Sequence, residues 1–170
     1  MKKLILAIAV IAISTATVQA QDKMSTKNIV ISISANAGIP TTTGYTFAFG
    51  GDLQADFAIT KNLKITISAG FDRYTFNNYF GGSNYNDYEY WLPLLAGAKF
   101  SLGKNAYVHT QVGYGFDFYG LAESGNGAFA YAPGVGYYFS SKLDASIKYL
   151  AFTGSGFTTN QIGVRLAYSF

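Results

Sequence analysis

The 170-residue sequence has no cysteine, three prolines, one histidine and one tryptophan, and only 12 % of it is charged. Each shortage excludes something. Without cysteine there is no disulfide, no thiolate metal ligand and no cysteine nucleophile. The charged fraction is about half the ~25 % of ordinary soluble domains, too little to coat a water-facing surface. Beyond residue 20 no stretch is apolar over the ~20 residues that a membrane-spanning helix needs. Phosphate-binding loops, metal-ligand spacings and basic stripes are absent as well, so neither a cofactor nor nucleic acid is expected as a partner. What abounds is glycine (19), tyrosine (14) and phenylalanine (14).

The start of the chain indicates export. Lys2 and Lys3 precede an unbroken apolar run from Leu4 to Ile13, and Val18, Gln19 and Ala20 form a small-residue cleavage site. This is the pattern of a secretory signal peptide over residues 1–20, with an apolar core too short to anchor in a bilayer. Cleavage would leave Gln21 first and remove two lysines, taking the net charge from +3 to +1. Residues 21–27 then read as a short periplasmic segment, and residues 28–170 as a single domain.

That domain alternates with a period of two. In the last nine residues Ile162, Val164, Leu166, Tyr168 and Phe170 fall on one side, and Gly163, Arg165, Ala167 and Ser169 on the other. The same alternation marks seven more segments, near 28–38, 45–59, 63–76, 88–102, 106–119, 128–139 and 143–152, with the eighth over 158–170. It is cleanest in the third, where Leu63, Ile65, Ile67, Ala69 and Phe71 oppose Lys64, Thr66, Ser68, Gly70 and Asp72. Three connections are tight, at Thr60–Asn62, Gly103–Asn105 and Ser140–Lys142. The others, Pro40–Gly44, Asn77–Asp87, Gly120–Gly127 and Thr153–Phe157, are mostly longer and rich in Gly, Asn, Ser and Thr. Pro93 is a mild objection to the fourth strand, since it cannot donate to a ladder.

A soluble lipocalin-type barrel also alternates, so the two faces decide. Gly50, Gly70, Gly97, Gly113, Gly115, Gly134, Gly136 and Gly163 lie on the polar face, where they suit a narrow interior and serve nothing on a solvated exterior. Asp52, Asp56, Asp72, Glu89, Asp117 and Asp144 share that face with Lys64, Lys99, Lys148 and Arg165, and of the strand charges only Arg73 falls opposite. Lysine or arginine facing lipid at mid-bilayer costs ~2–4 kcal/mol, which empties that face of charge. Outward aromatics gather at both strand ends, with Leu53, Ile67, Leu94, Val112, Ile147 and Val164 between them. The fold expected is an all-β, transmembrane, eight-stranded antiparallel up-and-down barrel, with tight turns in the periplasm and longer loops outside.

The signal peptide, the eight amphipathic strands and the terminal aromatic strand resemble the small outer-membrane barrels of the OmpA/OmpX-like superfamily. The resemblance implies the outer membrane of a Gram-negative bacterium, surrounding lipid and lipopolysaccharide, and a monomeric barrel. It also implies that the assembly machinery reads the terminal strand through Tyr168 and Phe170. It carries no catalytic motif. No peptidoglycan-binding domain follows Phe170, so a wall anchor of the OmpA kind is not expected.

Four groups of residues are candidates for more than folding. Asp56, Lys64, Lys99, Asp144, Lys148 and Arg165, towards the turn end, form an expected interior charge layer that stabilises the barrel. Asp72, Glu89 and Asp117 fall towards the outer mouth, where they could act as an acid/base pair or a cation site, but pairing with Tyr74 and Tyr119 is the simpler reading. His109 reads as a hydrogen-bonded interior residue. Tyr79, Phe80, Tyr85 and Tyr88 sit among glycines and asparagines and could contact an extracellular ligand. Eight strands leave an interior wide enough only for side chains, which disfavours an open porin-like pore. The expected role is structural or surface-interacting, serving envelope integrity or loop-mediated contact and not catalysis, with a lipid-modifying or hydrolytic enzyme and a narrow channel as alternatives. Removing Phe170 is expected to reduce the amount of fast-migrating folded protein on unheated gels of outer membranes, while the fraction that folds keeps its properties.

Overall fold

The computed structural model describes residues 29–80, 83–119, 123–154 and 156–170; the side chains of 76–80, 83–87, 119 and 123–126 are outside that description. Residues 1–20, read above as a signal peptide, and 21–28 lie outside it too. The eight strands are β1 (Ile29–Pro40), β2 (Tyr45–Ala58), β3 (Leu63–Phe80), β4 (Ser83–Leu102), β5 (Ala106–Tyr119), β6 (Glu123–Tyr138), β7 (Leu143–Gly154) and β8 (Phe157–Ser169). Each pairs antiparallel with the next, and β1 pairs with β8 from Ser32 opposite Ser169 to Pro40 opposite Gln161, so the sheet closes. Among the described residues no helix is long and apolar enough to cross a membrane.

The stagger of the closed sheet follows from the pairing. From Ile31 the partners run Ala55, Ile67, Ala96, Val112, Tyr131, Ala151 and Asn160. Thr41 N–H then donates to the Asn160 carbonyl, returning the path to the first strand about ten residues further on. Such a stagger tilts the strands by roughly 35–45° to the barrel axis and leaves a lumen about as wide as two facing side chains. Because the side-chain period is two, the paired residues along this circuit share one face.

The tight turns are built alike at two of the three sites. Ile59 N–H donates to the Leu63 carbonyl and Phe139 N–H to the Leu143 carbonyl, both at 2.9 Å. The Thr60 hydroxyl oxygen accepts from Asn62 and Leu63 N–H at 3.3 and 3.1 Å, and Ser140 does the same for Lys142 and Leu143 at 3.2 and 3.0 Å. A hydroxyl that takes two otherwise unpaired amides makes so short a reversal stable.

At the other end the strands extend further than their residue pattern suggested. Asn77 to Asp87, expected as a loop, continues the β3–β4 hairpin, with pairs running up to Phe80 opposite Ser83. Strand β2 stops pairing at Phe76 and β5 at Tyr90, so 77–80 and 83–86 pair only with each other as a two-stranded ribbon. Likewise β6 begins at Glu123, inside the expected 120–127 loop, and β7 and β8 reach Gly154 and Phe157. These segments lack apolar alternation, and the backbone pairs all the same. Pro93 sits within β4 at the cost of a gap: β3–β4 pairing passes from Ala69–Leu94 directly to Asp72–Trp91.

Towards the hairpin end the lumen holds an apolar layer that polarity patterning did not reveal. Trp91, Tyr74, Leu150 and Phe152 are fully buried, with Leu95, Ala48, Ala128, Ala130 and Ala132 around them. The Trp91 and Phe152 rings stack at 4.1 Å with 14° between their planes. Gly115 makes this possible, since a Cβ there would come within 2.5 Å of the Phe152 ring and 3.0 Å of Trp91. Gly136 serves Tyr107 in the same way, with the ring 2.2 Å from where a Cβ would sit. On the outward face Leu53, Ile67, Leu94, Val112, Ile147 and Val164 are all exposed. Trp91 is the sole tryptophan, so its fluorescence reports this layer. We expect its emission to move to the blue on folding and to resist quenching by brominated acyl chains, whereas a Trp91→Phe, Leu94→Trp barrel is quenched several-fold more; equal quenching would contradict the inward assignment.

Candidate functional site

Two chemically distinct zones fill the barrel. Nearer the turns, Asp52 is the hub of a buried network. Arg165 Nη2 and Nε donate to it at 2.8 and 3.1 Å, Asn36 Nδ2 donates at 3.1 Å, and Lys148 Nζ lies 3.8 Å away. Arg165 also reaches Asp144 at 3.8 Å, and Asp144 accepts from the Tyr107 hydroxyl at 2.5 Å. One step along, Lys99 donates to Asp56 at 2.7 Å, and Asp56 accepts from Gln54 at 2.6 Å. The Lys99 ammonium lies 4.8 Å from the centre of the Tyr107 ring, a cation–π contact in a dry setting.

Five of the six residues assigned to the charge layer therefore meet in salt bridges, directly or through Asp52. Lys64 stands apart: it is half-buried, makes no ion pair among the described residues, and sits 5.4 Å from the Tyr138 ring centre. Asp52 was missed as a member. Its place on the polar face was legible, but its partners were not. Arg165 on β8 pairs with Asn36 across the seam, while Asp52 pairs with Ser34, so the guanidinium spans β1 and leans two residues along it.

Asp72, Glu89 and Asp117 lie at or beyond the aromatic layer, and none has a cation within ion-pair distance among the described residues. Glu89 accepts from the Tyr45 hydroxyl, not from Tyr74 as expected. Tyr45 points inward because the β2–β3 register slips between Tyr45 and Phe47, a bulge that reverses the strand's parity there. Both Asp72 oxygens and Asp117 Oδ1 are buried without a hydrogen-bond partner. Asp72 and Asp117 flank Trp91 in the ladder, on β3 and β5. The Tyr119 side chain, their other expected neighbour, lies outside the described residues.

His109 does not join these carboxylates. It lies about eight residues down β5 from Asp117, opposite Lys99 and Gly134, and its Nε2 has no hydrogen-bond partner, unlike the bonded residue expected. A barrel-embedded enzyme is not supported by this arrangement. Of the aromatic surface group, Tyr79, Phe80 and Tyr85 lie on the paired ribbon and not on a loop, with side chains outside the described residues. Tyr88 is exposed at its base. Tyr168 and Phe170 are exposed on the turn-end rim with their rings 5.5 Å apart, and Phe170 N–H donates to the Ile31 carbonyl.

The hub makes an energetic statement. Asp52→Ala leaves Arg165 and Lys148 buried without their shared acceptor and is expected to destabilise the barrel by about 3–5 kcal/mol. Lys64→Ala removes one cation–π contact and should cost under about 1 kcal/mol. Urea unfolding of the two variants refolded in micelles measures both, and equal losses would contradict the hub.

The model of the outer membrane protein beta-barrel domain family matches residues 5–170. Among curated proteins no sequence matches. The attachment invasion locus protein Ail of Yersinia pestis, solved with the heparin analogue sucrose octasulfate, superposes with a TM-score of 0.59 at 14 % identity, covering 84 % of this chain and 98 % of that one. The N-terminal β-barrel domain of Pseudomonas aeruginosa OprF gives 0.57 at 14 %, covering 83 % and 97 %. Neisserial surface protein A gives 0.56 at 12 %, covering 84 % and 97 %. At these identities the likeness is one of fold. With eight strands closed in sequence order, an apolar outer wall and a match over nearly its whole length, the chain belongs to the outer membrane protein beta-barrel domain family.

Proposed function

We propose that this protein is exported by its N-terminal signal into the outer membrane of a Gram-negative bacterium, with turns and termini in the periplasm, and acts there as a structural, surface-contact barrel. The observation that carries the reading is the distribution of strand length. A tilted strand crosses the bilayer in about 9–11 residues. Strands β1 and β7 have 12 each, close to that minimum, whereas β3 and β4 have 18 and 20. Chain length beyond the bilayer is thus concentrated in one hairpin, which leaves the barrel wall as a ribbon bearing Tyr79, Phe80 and Tyr85. The lumen supports the same reading, because the stacked Trp91 and Phe152 fill it between the charge layer and the mouth. Monomeric insertion with Tyr168 and Phe170 read by the assembly machinery accords with their place on the turn-end rim.

Charge narrows the partner. Ail was solved with a polysulfated saccharide. Here the segments 41–44, 77–87, 119–127 and 153–157 contain no lysine or arginine, and Asp87 and Glu123 are their only charges. A polyanion would find no counter-charge on them. Aromatic side chains among amides suit an uncharged glycan, held by stacking and hydroxyl contacts, or a neutral protein surface. The barrel reconstituted in nanodiscs, applied to arrays of neutral and sulfated glycans and to surface proteins, is expected to bind uncharged partners and to lose them in a Tyr79→Ala, Phe80→Ala, Tyr85→Ala variant that still migrates as folded protein. Binding confined to sulfated ligands, or a steady conductance in planar bilayers, would overturn the proposal.

A further inference from the structure

Among the strand lysines and arginines only Arg73 stands on the outward face. Its cross-strand partners are Phe49 on β2 and Tyr90 on β4. The guanidinium carbon lies 3.5 Å from the centre of the Tyr88 ring, which is flat stacking, and 5.4 Å from that of Phe49. Phe71 stacks on Tyr90 at 5.3 Å beside it, and Phe47 on Phe49 at 6.2 Å. The cation is thus set in a cup of aromatic rings at the hairpin-end girdle.

The Tyr88 ring lies over the guanidinium, and the Phe49 ring stands further off beside it. Arg73 Nε is buried without a hydrogen-bond partner, and no carboxylate of the described residues lies within ion-pair distance. The adjacent acid, Asp72, points into the lumen. At the turn end the corresponding cation–π pair is looser: Lys142 lies 5.7 Å from the Tyr168 ring centre and is exposed in a turn. Arg73 is half-buried in a wall whose neighbours are lipid. A guanidinium in that wall meets the acceptors that lipid supplies, and phosphate is the anionic one that lipids commonly carry at headgroup depth. A planar, ring-stacked guanidinium presents paired donors that match a phosphate's oxygens bidentately, which an ammonium does not.

We propose that Arg73, stacked on Tyr88 and flanked by Phe49, binds a phosphate group in the headgroup of an outer-leaflet lipid. The leaflet assignment rests on the orientation proposed above; the phosphate preference does not, so the two can fail separately. Native mass spectrometry of the folded protein released from phosphate-free maltoside micelles tests it, with bisphosphorylated lipid A, its dephosphorylated counterpart and inorganic phosphate as probes. We expect the wild type to retain one phosphorylated lipid at least ten-fold more strongly than the dephosphorylated one, with millimolar inorganic phosphate competing poorly. Arg73→Gln should abolish that preference, and Arg73→Lys should keep only part of it. Equal retention of the two lipids by the wild type, an unchanged preference in folded Arg73→Gln, or full competition by inorganic phosphate would each overturn the proposal. The wild-type comparison decides it even if Arg73→Gln does not fold.

Discussion

In hydrocarbon, each N–H or C=O left without a partner costs several kcal/mol, and a sheet with a free edge exposes a whole row of them. The ladder between β1 and β8, from Ser32–Ser169 to Pro40–Gln161, removes that row. It is locked at both ends. At the turn end Phe170 N–H meets the Ile31 carbonyl at 3.0 Å. At the other end Thr41 N–H meets the Asn160 carbonyl at 2.9 Å, while Asn160 N–H donates to the Thr42 hydroxyl at 3.0 Å. Everything inside the barrel is a consequence of that closure, because eight strands and a stagger of about ten residues fix a radius that side chains must fill without slack.

The narrow radius explains why size and charge are distributed as they are. Large residues enter only where the opposing position is small: Gly115 admits the Trp91–Phe152 stack and Gly136 admits Tyr107. In the turn half buried charges are matched by opposite charges, Asp52 holding two cations and Lys99 meeting Asp56. The hairpin half does the same filling with aromatic carbon. Its three carboxylates lie at or beyond that layer, buried and without a cation in ion-pair distance among the described residues.

Much of this was legible because lipid outside and polar groups inside impose opposite demands on alternate residues. Strand β3 from Leu63 to Asp72 has no ambiguous position, and its faces, like the eight-strand count, could be read directly. Legibility failed where the polarity contrast vanished. In β7, Tyr149, Leu150, Ala151 and Phe152 are all apolar, so nothing in their chemistry says that Leu150 and Phe152 point inward. Tyr45 was hidden for another reason: parity along β2 places it outward, and a bulge, which has no side-chain signature here, turns it in to meet Glu89. The Asn77–Asp87 segment looks like a loop because its Asn, Gly and Ser residues give no alternation, although the backbone of 77–80 and 83–87 pairs. For the candidate sites, residue type and face were readable, but partners were not, because a partner such as Asp52 for Arg165 depends on the stagger between strands far apart in sequence.

Arg73 shows how far the same logic extends. A lipid-facing wall tolerates a lone arginine only at its rim, where the cost of a charge falls to roughly 0–1 kcal/mol. The residue is placed there, beneath the base of the longest hairpin, with rings on its faces that shield it from hydrocarbon and hold it in one orientation. Those rings belong to Tyr88 and Phe49, on the strands either side of β3, so the geometry of the cation is tied to the register of the β3–β4 hairpin. On the orientation proposed above, a lipid bound at Arg73 would therefore brace the foot of the β3–β4 ribbon, through the rings that tie the cation to that register.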